Sequence, residues 1–345
     1  MATTIKDVAR DAGVSVATVS RAVNGRSNVT ARTREHVMSV VERLRFVPST
    51  AARSMVTRRT HTVGALLPDL HGEYFSELIR GIDLAARVRG LHLLVSSSHG
   101  DAAEAAAALR AMQGRVDGLL IMSPHATADF LWGNLSNGLP AVLMNTRLGS
   151  DPHSSFAVDN RAGACAMVQH LVDRGHRRIA FLAGPESNFE AQERLCGYRT
   201  AMAELVPEQA EQVLQGDFTQ ESGFRAGACI VALSERPTAV FASNDMMAIG
   251  CLSAFNEAGL RVPRDIALAG FDDIPMSRYL NPPLTTVCVR IAELGGLALE
   301  CLASAIESPR QAAVRHQTLH AELVVRRSTA APSEPRFLRP LPSAS

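Results

Sequence analysis

Nine aromatic, amide, carboxyl and guanidinium side chains lie just past short apolar runs of the chain, where strands of a parallel sheet would end. They are Tyr74, Phe75, Asn145, Asn188, Glu190, Arg194, Phe218, Asn244 and Asp272. This mixture of ring faces, donors and acceptors suits a neutral polyol, whose hydroxyls both donate and accept hydrogen bonds. Glu190 and Arg194 can each hold a vicinal diol by paired hydrogen bonds. The chemistry indicated is recognition of a small sugar-like ligand.

Two other interpretations of these side chains stay open. Tyr74, Phe75 and Phe218 can sandwich a purine base instead of facing a sugar. Any one residue of the set, taken alone, fits an ordinary helix cap or turn at least as well, because Asn and Asp favour such positions without a ligand.

Catalytic and metal chemistry find little support in the sequence. The chain has no G-x-S-x-G, Walker loop, H-E-x-x-H or G-x-G-x-x-G, and Asp272 and Asp273 are adjacent in sequence, which is a poor arrangement for aiming at one bond. Its six cysteines are 13 to 37 residues apart, which is not zinc-ligand spacing. Cys165, Cys229 and Cys251 lie in Ala/Ile/Val-rich surroundings and are expected to be buried free thiols. We expect neither an enzyme nor a bound metal or cofactor.

The elements that must position the nine side chains are strands and helices in alternation. Short apolar runs occur at 63–68, 91–97, 116–122, 140–145, 178–184, 238–243 and 265–271, with helix-like segments between them. This order predicts parallel sheets with helices on both faces, and the number of runs is enough for two doubly wound lobes. Ligands of such folds bind beyond the carboxyl ends of the strands.

The charge of the chain is unevenly distributed. The 345 residues carry a net charge of +1, but residues 1–60 hold eleven basic groups against four acidic ones, a net of +7. The remaining residues therefore sum to −6. A basic head on a mildly acidic body is typical of a nucleic-acid-binding module attached to another domain.

Three short helices are predicted in the head. Thr4 with Asp7 has the T-x-x-D form of a helix start, and Gly13 ends that helix. Ser15 caps a second helix over 16–24, and Thr30 opens a third, long enough to cover the first two. Two helices joined by about three residues around a glycine make a helix-turn-helix candidate.

If the second helix enters the major groove, its outward residues meet base edges there. These are Val16, Ala17, Ser20 and Arg21, of which Arg21 can bind a guanine through two hydrogen bonds. Hydroxyl and amide groups at the helix ends suit phosphate contacts. They are Thr4, Thr18, Asn24, Asn28, Thr30 and Thr33.

A hinge segment, 49–57, follows the head helices and has little to bury itself against. It can serve as a plain linker, because isolated helices this short are marginal in water. Alternatively it folds on DNA, inserts Met55 between base pairs in the minor groove and places Arg53 near the backbone.

These head motifs resemble the DNA-binding head of the lactose repressor family. The resemblance rests on TIKDVARDAGVSVATVSRAVNG, VTARTREHV and FVPSTAARSM, and Val16-Ala17 is similar to the galactose-repressor branch. In that family the segment matching 49–55 is a hinge helix that wedges open the operator centre, with Met55 here in place of leucine.

The body resembles the same family's effector domain, which is similar to periplasmic sugar-binding proteins, from about 62 to 328. The resemblance implies that the nine side chains named first contact the effector. EAQERLCGY (190–198) looks most like sugar-responsive members, and Asn244-Asp245 and GFDD (270–273) are general family marks. Val289 stands where many members carry a glutamine near the ligand.

We therefore expect a cytoplasmic transcriptional regulator, a repressor, with a small all-α helix-turn-helix head (1–60) and a periplasmic-binding-protein-like α/β effector domain of two doubly wound parallel-sheet lobes (62–330). Its expected partners are operator DNA, a sugar effector and a second copy of itself; a purine effector and a non-regulatory sugar-binding protein are the alternatives. The tail, 331–345, holds four prolines and no leucine heptads, which predicts a disordered end and a homodimer. The first thirty residues lack an unbroken apolar stretch, so no signal peptide is expected.

Overall fold

Local capping explains where the three head helices begin. The computed structural model describes residues 3–24, 28–46, 59–123, 130, 133–135, 138–145, 153–309 and 312–329. The helices are α1 (Ile5–Asp11), α2 (Val16–Val23) and α3 (Ala31–Arg43). Thr4 and Asp7 form a capping box, with the Thr4 amide donating to the Asp7 carboxylate at 3.0 Å. Ser15 accepts from the Thr18 amide at 3.1 Å and thereby caps α2.

The head has a small hydrophobic core of its own. Its fully buried members lie on all three helices: Val8, Val19, Val37 and Val40 are at most 1% exposed. Asp11 of α1 forms an ion pair with Arg43 of α3 at 2.8 Å, which joins the first and last helices. The chain divides into two compact units between Thr60 and His61.

The unit beginning at His61 contains two parallel sheets. The first has the order β11-β5-β4-β3-β1-β2, and the second has the order β7-β6-β8-β9. The strands of the first sheet are β1 (Thr62–Leu67), β2 (His92–Ser97), β3 (Gly118–Met122), β4 (Ala141–Met144), β5 (Ser154–Val158) and β11 (His316–Leu319). Those of the second are β6 (Ile179–Ala183), β7 (Gln212–Gln215), β8 (Ala239–Ala242) and β9 (Ala267–Ala269).

Helices connect these strands and cover the sheets. They are α4 (Glu73–Val88), α5 (Ala102–Met112), α6 (Asn160–Asp173), α7 (Phe189–Leu205), α8 (Gln220–Ala232), α9 (Asp245–Glu257) and α10 (Ile291–Glu307). A short 3₁₀ helix, Pro275–Arg278, and an antiparallel pair, β10 (Thr286–Cys288) with β12 (Glu322–Val324), complete the described elements. The prediction of a helical head and two parallel-sheet α/β lobes is confirmed.

The chain passes between the two lobes after β5, after β10 and after β11. The first passage leads directly from Val158 to Asn160, the first residue of α6. At the second, the Asp272 backbone N–H donates to the carbonyl of Val287 in β10 at 2.8 Å, and the Asp272 carbonyl accepts from Val289 just after β10 at 3.5 Å. One continuous core of buried side chains extends from Val63 and Leu120 in the first lobe to Phe181 and Phe241 in the second.

Candidate functional site

The outward face of α2 carries the four residues predicted to meet base edges. Val16 is 42% exposed, Ala17 and Arg21 are exposed, and Ser20 is half-buried. Val19 and Ala22, on the opposite face, are buried in the head core. The helix therefore presents one small apolar surface and one guanidinium to an approaching duplex.

The residues predicted to contact phosphates lie at helix ends, where several of them already make local hydrogen bonds. Thr4 and Thr30 are N-caps, and the hydroxyls of Thr30 and Thr33 are 2.8 Å apart. Asn24 is the C-cap of α2 and donates to the Ser20 carbonyl at 2.8 Å. Thr18 contacts Ser15 at 2.9 Å, and Asn28 is exposed just before α3. Capping explains most of these positions without DNA, so the phosphate contacts stay a prediction.

The whole predicted hinge segment, 49–57, lies outside the described residues, and with it Arg53 and Met55. So does the tail, 331–345. Their roles stay predictions.

A pocket between the two lobes gathers eight of the nine side chains predicted for the ligand. It encloses about 720 Å³ of empty space, including its open mouth. The eight are Tyr74, Phe75, Asn188, Glu190, Arg194, Phe218, Asn244 and Asp272. They follow strands of both sheets, so the pocket lies where a doubly wound fold places its ligands.

Asn145 does not line this pocket, contrary to its predicted place beside the ligand. It is 2% exposed, and its amide donates to the Tyr74 hydroxyl at 3.0 Å. It can therefore act on a ligand only through Tyr74. Val289 is also buried and is absent from the lining.

Several lining residues were not among the nine. They are Pro68, Asp69, His71, Gly72, Met122, Asp217, Thr219 and Met246. Asp217 and Thr219 follow β7, whose sequence QVLQ is too short and polar to be recognised as a strand. Asp69 directly follows the apolar run at 63–68, so its position at the end of a predicted strand could have identified it.

Arg194 lies at the floor of the pocket and is 3% exposed. Its Nη1 donates to the Ser243 carbonyl at 2.6 Å and lies 3.0 Å from Asp272 Oδ1. Its Nη2 lies 3.8 Å from Glu190 Oε1. The guanidinium carbon stands 3.9 Å from the centre of the Phe271 ring, a cation–π contact. Arg194 is thus held on several sides by the protein itself.

Nε of the same guanidinium donates to the side-chain oxygen of Asn160 at 2.8 Å. Asn160 is buried, with 4% exposure, and was not predicted as a site residue. Its position after β5, where a turn residue is unremarkable, offered no signal in the sequence.

The two carboxyl groups beside Arg194 are protonated more readily than ordinary carboxyls. Burial raises the pKa of Glu190 to about 7, although Arg194 opposes the shift. Burial also raises the pKa of Asp272 to about 6, again against Arg194. Burial, then Glu190 and Asp272, raise the pKa of Tyr74 well above its ordinary value, so its phenol stays neutral. Near neutral pH the pocket floor therefore holds two carboxyls with a labile proton beside one guanidinium.

Phe218 takes a backbone conformation that bulky residues rarely adopt, with φ at 70°. The side-chain amide of Asn244 donates to the Phe218 carbonyl at 3.0 Å and helps to hold this conformation. Gly184 leaves room for the ring, because a side chain there would meet the ring atoms. Asp272, with φ at 113°, and Asn145, with φ at 46°, share the left-handed backbone region. Strained backbone of this kind concentrates at functional sites.

Asn188 and Asn244 combine pocket lining with helix capping. Asn188 accepts from the Ala191 amide at 3.0 Å at the start of α7, and Asn244 accepts from the Met247 amide at 2.9 Å at the start of α9. These bonds use the oxygens of both side chains.

The described residues contain no metal-binding group of side chains, no helix that could span a membrane and no paired cysteines. In this part of the chain no three His, Cys, Asp or Glu side chains are grouped to hold a metal ion. No helix there is long and apolar enough to cross a membrane. The six cysteines are free thiols, but the expectation that Cys165, Cys229 and Cys251 are buried holds only for Cys251. Cys229 is exposed on the outer face of α8, and Cys165 is half-buried between helices.

Comparison with known proteins matches both parts of the chain. Residues 4–49 match the family described as "Bacterial regulatory proteins, lacI family", and residues 168–329 match the "Periplasmic binding protein-like domain". The ribose operon repressor of Haemophilus influenzae is 36% identical over 89% of this chain and 93% of its own. The HTH-type transcriptional repressor PurR of Proteus mirabilis is 36% identical over 95% and 97%.

A solved structure, the lac repressor dimer bound to operator and the anti-inducer ONPF, superposes with a TM-score of 0.85. It is 30% identical and covers 96% of this chain and 100% of its own. Each of these relatives matches both the helix-turn-helix head and the two-lobed body, so the two parts of the chain belong to the same family. The chain belongs to the lacI family of bacterial regulatory proteins, which are DNA-binding transcriptional regulators and not enzymes.

Proposed function

We propose that this repressor reads its operator with the exposed face of α2 and releases or tightens its hold when a sugar, or a sugar derivative, occupies the pocket between the lobes. The observation that carries the proposal is the convergence of eight predicted side chains from both lobes on one pocket. A ligand that contacts both lobes changes the free-energy difference between their open and closed arrangements. Coupling of about 1–3 kcal/mol between effector and operator would be ordinary.

A sugar is favoured by the hydrogen-bonding groups on the pocket floor. Glu190 and Asp272 supply acceptors, Tyr74 supplies a neutral hydroxyl, and the Phe218 ring supplies an apolar face. This combination matches the alternating hydroxyl edges and apolar faces of a sugar ring. The relative that regulates a ribose operon is consistent with this choice.

A purine is the second candidate, because Tyr74, Phe75 and Phe218 all line the same pocket. Tyr74 and Phe75 stand edge to face at 5.4 Å, so one ring of the pair can stack on a base and the other can meet its edge.

Calorimetry decides between the two candidates. The purified full-length chain would be titrated with D-ribose, D-galactose, D-glucose, D-fructose, hypoxanthine and guanine. We expect heat from at least one sugar and none from the purines. Binding of a purine without binding of any sugar would refute the sugar assignment, and binding of nothing would count against the pocket as an effector site.

We further propose a homodimer, in which two heads read a palindromic operator. Apolar side chains are exposed together on α4 and on the neighbouring edge strand β2: Leu84 at 49%, Val88 at 84% and Leu94 at 39%. Met276 and Tyr279, at 43% and 76%, add exposed apolar surface on the other lobe. Exposed patches of this kind mark protein contacts. Light scattering should give the mass of two chains; one chain or four would contradict the proposal.

The functions that we propose for the two parts of the chain are those expected from the sequence. Residues 1–60 bind DNA, with 49–57 as a hinge that folds on the operator, and 62–330 bind the effector and the second subunit. Because operator DNA is its target, we place the protein in the cytoplasm.

A further inference from the structure

The pocket carries more negative than positive charge among its described lining residues. Four carboxyl groups line it, from Asp69, Glu190, Asp217 and Asp272, against the single guanidinium of Arg194. His71 is the other lining residue that can carry a positive charge. Asp217 pairs with Arg225 at 3.6 Å outside the lining, but both are more than half exposed, so solvent screens their pair. The buried groups dominate the field that a ligand meets.

Arg194 is poorly placed to receive an anion from a ligand. Asn160 uses its Nε, and the Ser243 carbonyl and Asp272 use its Nη1. Its remaining nitrogen, Nη2, lies 3.8 Å from Glu190 Oε1, which is too long for a hydrogen bond but close enough for charge pairing. An incoming phosphate or carboxylate at Nη2 would share this one guanidinium with the buried carboxyls of Glu190 and Asp272, so three acidic groups would compete for a single positive charge, which is costly.

The floor also holds a carboxyl oxygen that is paired with Arg194 by charge but not by a hydrogen bond. Oδ1 of Asp272 is buried beside Arg194 as an ion contact, and within the described residues it has no hydrogen-bond partner of acceptable geometry. A buried acceptor without a donor is unfavourable, so a ligand gains by bringing hydroxyl or N–H groups to it.

Resting on the proposed function, we propose that the effector is the uncharged form of its compound, and that Glu190 and Asp272 exclude the phosphorylated or carboxylated forms of the same skeleton. A hydroxyl donates to these carboxyls when they are ionised, whereas a fully ionised phosphate or carboxylate has no proton to donate. Two like charges a few ångströms apart in a buried site repel strongly enough to weaken binding by at least about tenfold.

This selectivity has a consequence for what the regulator reports. Phosphoryl transfer to a sugar hydroxyl, or attachment of a ribose phosphate to a base, converts a neutral compound into an anion. A pocket that rejects the anion binds the neutral substrate of such a step and does not bind its product. The regulator therefore responds to the substrate of a phosphoryl-transfer or phosphoribosyl-transfer reaction.

Matched pairs that differ in charge test the proposal on the full-length protein. Calorimetry would compare D-ribose with D-ribose 5-phosphate, D-glucose with D-glucose 6-phosphate and D-glucuronate, D-galactose with D-galactose 6-phosphate, and guanine with GMP. We expect each neutral compound that binds to do so at least about tenfold more tightly than its anion. An anion that binds as tightly as its neutral parent overturns the proposal. Binding of no compound removes the proposed function, and the inference with it.

Two substitutions test the cause of the selectivity. Glu190→Gln removes one buried carboxyl and should reduce the neutral-to-anion affinity ratio by about tenfold, and Asp272→Asn is the second variant should the first fail to fold. Glu193→Gln is the matched control, because it removes the same charge from the same helix outside the pocket lining. If Glu190→Gln, or Asp272→Asn in its place, has the same neutral-to-anion affinity ratio as Glu193→Gln, the buried carboxyls do not cause the selectivity.

Discussion

Arg194 donates a hydrogen bond from Nε to Oδ1 of Asn160 at 2.8 Å, which joins the floor of the pocket to the passage between the lobes. Asn160 begins α6 directly after β5, and its own amide donates to the Val158 carbonyl at 3.3 Å. The same guanidinium contacts Asp272, whose backbone is bonded to Val287 beside the second passage. Any ligand that moves Arg194 therefore acts on two connections between the lobes.

Asn160→Leu should uncouple effector from operator, because it removes the acceptor while keeping the side-chain size. Operator affinity would be measured with and without the compound that binds in calorimetry. We expect the ratio of the two affinities to fall by about tenfold, within the ordinary range of coupling energies. Asn160→Asp, which keeps an acceptor for Nε, should retain most of the ratio.

Thr285→Val is the matched control for Asn160→Leu. Thr285 is fully buried and bonded to Thr329 at 3.0 Å, but it does not line the pocket. It should lower thermal stability and leave the ratio intact. If both variants change the ratio equally, Asn160 acts only through general stability.

The stability of the ligand-free protein should fall as the pH rises through 7, and Glu190 should be one cause. The Glu190 pKa is about 7 in the folded protein against an ordinary value of 4.5, so the folded state holds the proton more tightly than the unfolded chain. This stabilisation is fully present below about pH 4.5 and is lost as the pH rises through 7.

Urea unfolding of the wild type and of Glu190→Gln at pH 5, 6, 7 and 8 checks this linkage. Between pH 5 and pH 8, the free energy of unfolding of the wild type should fall by on the order of 2–3 kcal/mol more than that of the variant. Parallel curves would show that the Glu190 carboxyl is already ionised at pH 5.

Two adjacent glycines on α10 should respond oppositely to alanine. A Cβ at Gly295 would lie 2.7 Å from the Leu78 carbonyl of α4, whereas one at Gly296 meets nothing closer than 3.8 Å. Gly295→Ala should destabilise the protein by about 1–3 kcal/mol through overpacking. Gly296→Ala should be neutral or stabilising by up to about 1 kcal/mol, because alanine favours helices. Chemical unfolding measures both; equal effects would contradict the close approach of α4 and α10.

Arg21→Ala should relax discrimination at one operator position, at a cost of about 1–3 kcal/mol, if the exposed guanidinium reads a guanine. Binding to a set of single-base operator variants measures this. Thr33→Ala provides the contrast, since loss of a phosphate contact weakens all sequences alike. Uniform weakening by Arg21→Ala would reassign Arg21 to the DNA backbone.

Met55→Gly should lower operator affinity and leave effector binding unchanged, because it removes the apolar wedge proposed for the minor groove. Gel shift with operator and calorimetry with the effector give the two readings. Undiminished operator affinity would show that Met55 does not insert.

Local features of the sequence were enough to predict the helices of the head and the more buried strands. Thr4, Ser15 and Thr30 begin helices through bonds to residues only three positions away, so their role can be read from neighbouring letters. The apolar runs at 63–68 and 178–184 correspond to β1 and β6, which are buried on both faces and must therefore be apolar throughout. The sequence alone also indicated the strand ends that meet at the pocket.

Only the tertiary structure decided which strand ends share a site and which groups neutralise one another. β7 and β11 are polar edge strands, and pairing with a neighbour, not composition, makes them strands. Asn160 and Arg194 are 34 positions apart, and no local pattern relates them. The protonation of Glu190 and Asp272 likewise depends on burial by distant segments, which raises the pKa of both carboxyls by removing water. Residue types and spacing thus determined the class of protein, whereas the electrostatics of its pocket arose from long-range packing.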